Sequence, residues 1–141
     1  MCSYCGCEAE PAISGLMRDH AAIAALGVSI AAALEQNQLG VAQQRSVELA
    51  ELFEEHSRLE EAGLFAELRR AGEAIEELDL LVADHRRLVA GLTRGDVIEQ
   101  PDTLRALLGE LARHAETEDS DLFPFAVQVL PNESWKAVEE A

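Results

Sequence analysis

Two ten-residue stretches of this 141-residue chain, HSRLEEAGLF at 56–65 and HAETEDSDLF at 114–123, align without a gap and share the pattern H-x-x-x-E-[ED]-x-x-L-F. A second echo lies upstream of each: Asp19-His20-Ala-Ala-Ile23 matches Asp84-His85-Arg-Arg-Leu88. Such a duplication restricts the fold to two equivalent halves about a pseudo-twofold axis, which brings both copies of the longer motif together. The periodicity inside each half is helical. Leu16, His20, Ile23, Gly27, Ile30 and Leu34 share one face of a segment that starts near Pro11 and ends before residues 37–40. Leu49, Leu52, Phe53, His56, Leu59 and Glu60 line a second segment that persists to Arg70. Ile75, Leu78, Val82, His85, Leu88, Val89 and Leu92 line a third, stopped by Gly95. Pro101 suits the first turn of a fourth, whose Leu104, Leu107, Leu111, His114 and Glu118 continue to Pro124. Four helices with short connections predict an all-α, up-down four-helix bundle.

The length suits one domain. Residues 1–10 read as a cysteine-containing tail, 11–130 as the bundle, and 131–141 as a short C-terminal helix capped by Asn132 or Ser134 and anchored by Trp135. Apolar residues at 48% are enough to bury a core, and a formal charge of −16 repels phosphate backbones and anionic lipid headgroups. Nucleic acid and membrane are therefore not expected as partners. The longest apolar stretch, Ala21 to Leu34, is too short and too rich in alanine to cross a bilayer. The start of the chain carries no basic region followed by an apolar one, so a cytoplasmic location is expected.

The chain has only four histidines, and each falls on the apolar face of a different predicted helix. An imidazole in an apolar interior needs partners for its ring nitrogens. One such residue is ordinarily a core histidine satisfied by a backbone carbonyl, but four together, two with a glutamate one turn on, point to metal. His-x-x-x-Glu on a helix aims an imidazole and a carboxylate inward, one above the other. His20, His56, Glu60, His85, His114 and Glu118 then make six ligands, too many for one tetrahedral ion. They suit two ions with two histidines each, both glutamates bridging, and open positions between the ions. Mixed imidazole and carboxylate favours iron or manganese over magnesium or calcium, and zinc also fits.

The joint pattern His20, His56-x-x-x-Glu60, His85, His114-x-x-x-Glu118-x-x-x-Leu122-Phe123-Pro124 spans roughly residues 13–130 and resembles the hemerythrin-like (HHE cation-binding) family of non-haem di-iron proteins. The resemblance implies two iron ions, oxo- or hydroxo-bridged, with the four histidines as terminal ligands and Glu60 and Glu118 as bridges; manganese or zinc stands behind iron. Oxygen-carrying members have a fifth histidine one turn after the third-helix ligand and an aspartate five residues after the last histidine. Here those places hold Val89 and Asp119. Asp119 could stand in for Glu118, but the matching Glu60 of the other repeat favours Glu118. The four-histidine set is similar to members linked to iron-sulfur cluster repair under nitrosative stress and to members that decompose peroxide. It implies binding or reduction of a small oxidant (O2, H2O2 or NO), with an electron donor or an iron-sulfur protein as partner. The alternative is an iron-binding, sensing or repair module without turnover.

Neighbouring acids read differently. Asp19 and Asp84 each precede a candidate histidine, and an adjacent helical residue points about 100° away, so a solvated face is expected for both in preference to an acceptor role toward an imidazole. Glu55, Glu61 and Asp119 read as surface charges, with a lesser role as extra ligand or proton relay. Leu64-Phe65 and Leu122-Phe123 are expected to close the bundle below the metals. Cys2, Cys5 and Cys7 form a C-x-x-C-x-C run, an odd set that makes a poor disulfide framework and too few ligands for a closed zinc site. It stands as a possible second metal or redox site, or as a floppy terminus.

Overall fold

The computed structural model describes residues 10–141, so Cys2, Cys5 and Cys7 lie outside the described residues. The described residues are helical, with no strand among them. Helix α1 runs Pro11–Glu35 and α2 Leu39–Glu60, continued by a π-helical turn at Glu61–Phe65 and by α3 (Ala66–Arg70). Helix α4 is Ile75–Leu92 and α5 Pro101–Thr117, continued by a second π-helical turn at Glu118–Leu122 and by α6 (Phe123–Val129). A final α7 spans Asn132–Glu139. The four long rods form the expected bundle.

Local chemistry ends the rods. Asn37 and Gly72 adopt positive φ (56° and 74°), and the following amides, Gln38 and Glu73, reach back to the carbonyls of Ala33 and Leu68 at 2.8 and 2.9 Å. These left-handed caps satisfy the last helical carbonyls and reverse the chain, the first inside the first half and the second between the two halves.

Buried side chains fall into two apolar clusters. One gathers Ile13, Leu16, Met17, Leu64, Phe65, Leu68, Leu78, Leu122, Phe123 and Trp135. The other gathers Ile23, Ile30, Leu49, Phe53, Leu88, Leu92, Leu104 and Leu111. Along every long rod the histidine lies between a residue of the first cluster and one of the second. The histidines therefore form a polar layer across a core that is apolar on both sides.

The π turns are unexpected features with a consequence. In an unbroken α-helix Phe65, nine residues past His56, would sit about 180° round from it. The wider turn retards that rotation, and Leu64 and Phe65 both end up buried at 0% and 1% exposure. The same device operates at Leu122-Phe123. It also corrects the expectation that the fourth rod stops at Pro124. Carbonyls of a π turn bond one residue further along, so the missing N–H costs little, and Pro124 sits in the first turn of α6 instead.

Trp135 is buried as expected and fixes α7 to the first cluster, but neither Asn132 nor Ser134 provides a side-chain cap. Gly63, inside the first π turn, permits the approach: a Cβ there would lie 3.0 Å from the Val138 carbonyl oxygen. Gly63→Val should lift α7 at a cost of about 1–3 kcal/mol, the range for overpacking. A red shift of fluorescence from Trp135, the single tryptophan, would report it.

Helix α1 has the expected bounds, Pro11–Glu35, and extends well beyond the apolar stretch Ala21 to Leu34. By length and composition alone it could cross a membrane, with a mean hydropathy of 1.3 over its best window. Its inward stripe, from Ile13 through His20 to Leu34, packs into the bundle.

Candidate metal centre

Because each histidine interrupts an otherwise continuous apolar stripe, helix packing carries all four rings to one level. His20, His56, His85 and His114 are 5%, 1%, 2% and 5% exposed, and Glu60 and Glu118 are 1% and 0%. Glu118 divides its oxygens between two pairs of rings. Its Oε1 lies 2.9 Å from His20 Nε2 and 4.0 Å from His56 Nε2, while Oε2 lies 3.1 Å from His114 Nε2 and 3.6 Å from His85 Nε2. Glu60 does likewise, with Oε2 3.6 Å from His56 Nε2 and Oε1 3.2 Å from His85 Nε2. Two potential ion-holding groups result: His20, His56, Glu60 and Glu118, and Glu60, His85, His114 and Glu118. Both glutamates belong to both groups.

Aromatic rings wall the layer above and below. Phe65 stacks on His85 and Phe123 on His20, each at 5.7 Å between centroids. From the other cluster Phe53 meets His85 and His114 edge-on at 5.6 and 5.9 Å. The Leu-Phe pairs thus close one side of the layer, as expected.

Among the described residues, every buried side-chain nitrogen or oxygen without a hydrogen-bond partner belongs to these six residues: Nε2 of all four histidines, Nδ1 of His114, and all four glutamate oxygens. Nine orphaned polar atoms in one apolar interior would be ruinous to stability if nothing filled the gap between them. Their chemistry, imidazole with carboxylate, suits first-row transition ions. The residues present fit a pair of such ions.

Without a cation the layer gathers protons. Burial disfavours a charged His20, but Asp119 and Glu118 outweigh it and lift its pKa to about 9. Burial likewise opposes charge on His56 and His85, yet Glu118 and Glu60, with Asp19 for His56, raise them to about 11 and about 10. Burial would raise Glu118 too, but His114, His20, His56 and His85 hold it well below the ordinary carboxylate value. Burial and the Glu118 charge push Glu60 up. The structure has set out positive charge in the place where cations fit.

Three of the flanking acids correct the expectation of a solvated or surface position, while Asp84 keeps it. Asp19 Oδ2 accepts from His56 Nδ1 at 2.9 Å, Glu61 Oε2 from His85 Nδ1 at 2.7 Å, and Asp119 Oδ1 from His20 Nδ1 at 2.8 Å. Asp84 Oδ2 stands 3.5 Å from His114 Nδ1, without hydrogen-bond geometry. Each acid misses the histidine of its own rod, as the 100° step requires, and addresses the ring of the next rod. Three hydrogen bonds and the longer approach of Asp84 run around the bundle as a circle with one open link. Such carboxylates set the tautomer of an imidazole, leaving Nε2 free to bind. Asp119 therefore faces the layer from outside and does not replace Glu118. Glu55 is a surface charge, as read, paired with Arg58. Val89 is partly buried against the second apolar cluster.

No curated protein and no solved structure matched the chain. A family model did: that of the hemerythrin HHE cation binding domain matches residues 12–126, which contain all six inward-facing histidines and glutamates. Over most of its length, then, this chain belongs to the hemerythrin HHE family, and its helical bundle is a metal-binding domain.

Proposed function

We propose that His20, His56, Glu60, His85, His114 and Glu118 hold two iron ions, and that the protein binds or reduces a small oxidant there: O2, H2O2 or NO. The observation that carries this is the set of eight orphaned ligand atoms, the four Nε2 nitrogens and the four glutamate oxygens, split into two groups that share both glutamates. An iron pair would supply up to two electrons to such an oxidant, to be restored by a cellular electron donor. The chain's own part is geometric. Carboxylates at Nδ1 orient His20, His56 and His85, Glu60 and Glu118 would offer oxygens to both ions, and the phenylalanines keep water out of the layer.

Access favours an uncharged molecule. A groove of about 340 Å³ runs between α1 and α5, walled by Ala24, Gly27 and Ala31 on one side and Gly109 and Ala112 on the other, with His20 at one end. Small side chains leave it open, and apart from Arg105 and His20 its walls are apolar. Filling it with Ala24→Leu and Ala112→Leu should leave metal content and optical spectrum unchanged while slowing the reaction of the reduced protein with O2 or NO about tenfold, measured by stopped flow.

Metal analysis and an optical spectrum of protein from iron-replete cells, followed by anaerobic reduction and exposure to each oxidant, test the whole reading. Two irons per chain and turnover of peroxide support it. Metal release to an iron-sulfur acceptor without turnover would replace it with a delivery or repair role.

A further inference from the structure

The circle of carboxylates is broken at one link, and the repeat shows why. Asp19 and Asp84 are equivalent positions, as are His56 and His114, so Asp84 ought to hold His114 as Asp19 holds His56. Asp19 does so at 2.9 Å, whereas Asp84 stands off at 3.5 Å. Three residues past Asp84 comes Arg87, whose Nη2 donates to Asp84 Oδ1 at 3.2 Å and whose Nη1 donates to Glu110 Oε2 at 2.5 Å. The residue three past Asp19 is Ala22, which offers no competing donor. A fork anchored on α5 through Glu110 draws Asp84 toward the surface and leaves His114 as the one ring whose Nδ1 is buried and unpartnered.

We infer that Arg87 is a positioning residue that makes the two halves of the centre unequal, so that the ion held by His85 and His114 is the weaker-bound and exchangeable one. The inference rests on the dinuclear reading above. A ligand imidazole without a partner at its other nitrogen is less basic and less fixed in orientation, and losing such a partner typically lowers metal affinity about 10–100-fold. The pair of rings at His20 and His56 has two carboxylate partners, Asp119 and Asp19. The pair at His85 and His114 has one, Glu61. The ligand class is a divalent first-row cation, taken up in two steps. Because Asp84, Arg87 and Glu110 are all partly exposed, the fork is weak enough to be released without disturbing the core.

Two measurements on the intact protein test this. Metal-free wild type titrated with Co2+ should load one equivalent tightly and a second about tenfold or more weakly; Arg87→Ala should tighten the second step about tenfold and leave the first unchanged. Asp19→Asn should weaken the tight step. Equal steps in wild type, or an Arg87→Ala titration identical to wild type, would overturn the inference. NMR of the ring N–H protons gives a readout that needs no metal: three exchange-protected Nδ1–H resonances in wild type and a fourth in Arg87→Ala. Four in wild type, or no gain in the variant, would show that Arg87 does not withhold Asp84. Absence of Co2+ uptake by either protein would instead overturn the dinuclear reading and the ranking of ions with it, while the resonance count would still decide the role of Arg87.

Discussion

Glu118→Ala should bind no metal at either position, whereas His20→Ala should keep about one of two ions. The difference follows from how the carboxylate is placed. Glu118 is fully buried, and its two oxygens address opposite pairs of rings, at 2.9 and 3.1 Å for the nearest nitrogen on each side. Its removal strips one ligand from both groups at once and takes a negative charge from between four imidazoles. His20, by contrast, belongs to one group only. Metal per chain, measured on protein dialysed after loading, separates the cases. The loss should also appear in stability. Ligand that binds only the folded state stabilises it by RT ln(1 + [L]/Kd), or about 4 kcal/mol at a thousandfold excess over Kd. Thermal unfolding of wild type should therefore move upward on loading, and that of Glu118→Ala should not. Glu118→Gln keeps the shape of the side chain and should fold, yet should also fail to hold the pair. Full metal occupancy in either variant would remove Glu118 from the ligand set.

Much of this centre was legible in the sequence, because its chemistry rests on repetition. Four histidines at helical spacing on apolar faces, two with glutamate one turn on, can converge only if the bundle is built as the periodicity says. The ring of outer carboxylates was not legible in the same way. Reasoning along one helix turns Asp19 away from His20, correctly, but the partner it finds is His56 on the neighbouring rod, and that depends on how two helices cross. One signal was available: an acid adjoins an inward residue on every rod, in Asp19-His20, Glu60-Glu61, Asp84-His85 and Glu118-Asp119. The π turns were hidden for a related reason. Burial of Phe65 and Phe123 was expected, but nine residues past His56 and His114 a regular α-helix would turn them away, so it demanded a local change of helical pitch that composition does not announce. Pro124 misled by the same rule, since a proline stops an α-helix but tolerates the turn that follows a wider one.

Metal-free protein should lose stability as pH rises from about 6.5 to about 9, and the loaded protein should not. The sign comes from the imidazoles. In the unfolded chain a histidine releases its proton near pH 6.5. In the folded, metal-free layer burial opposes the charge, but the surrounding carboxylates hold it on to about pH 9 at His20, about 10 at His85 and about 11 at His56. Between these limits the folded state binds more protons than the unfolded one, so raising the pH drives unfolding. The contribution is complete below pH 6.5 and disappears as pH passes through the folded values. Three such groups make the loss on the order of several kcal/mol across the window, a large share of a small domain's stability. Metal reverses the trend, because ions bind the neutral imidazole and displace those protons, so loading tightens with pH. Thermal unfolding of metal-free and Mn2+-loaded protein at pH 6, 7.5 and 9 should give midpoints that lie close together at the acid end and separate steadily. A metal-free midpoint that climbs with pH would mean that the rings fold neutral, and that Glu60, Glu118 and the outer carboxylates do not act on them as their distances require.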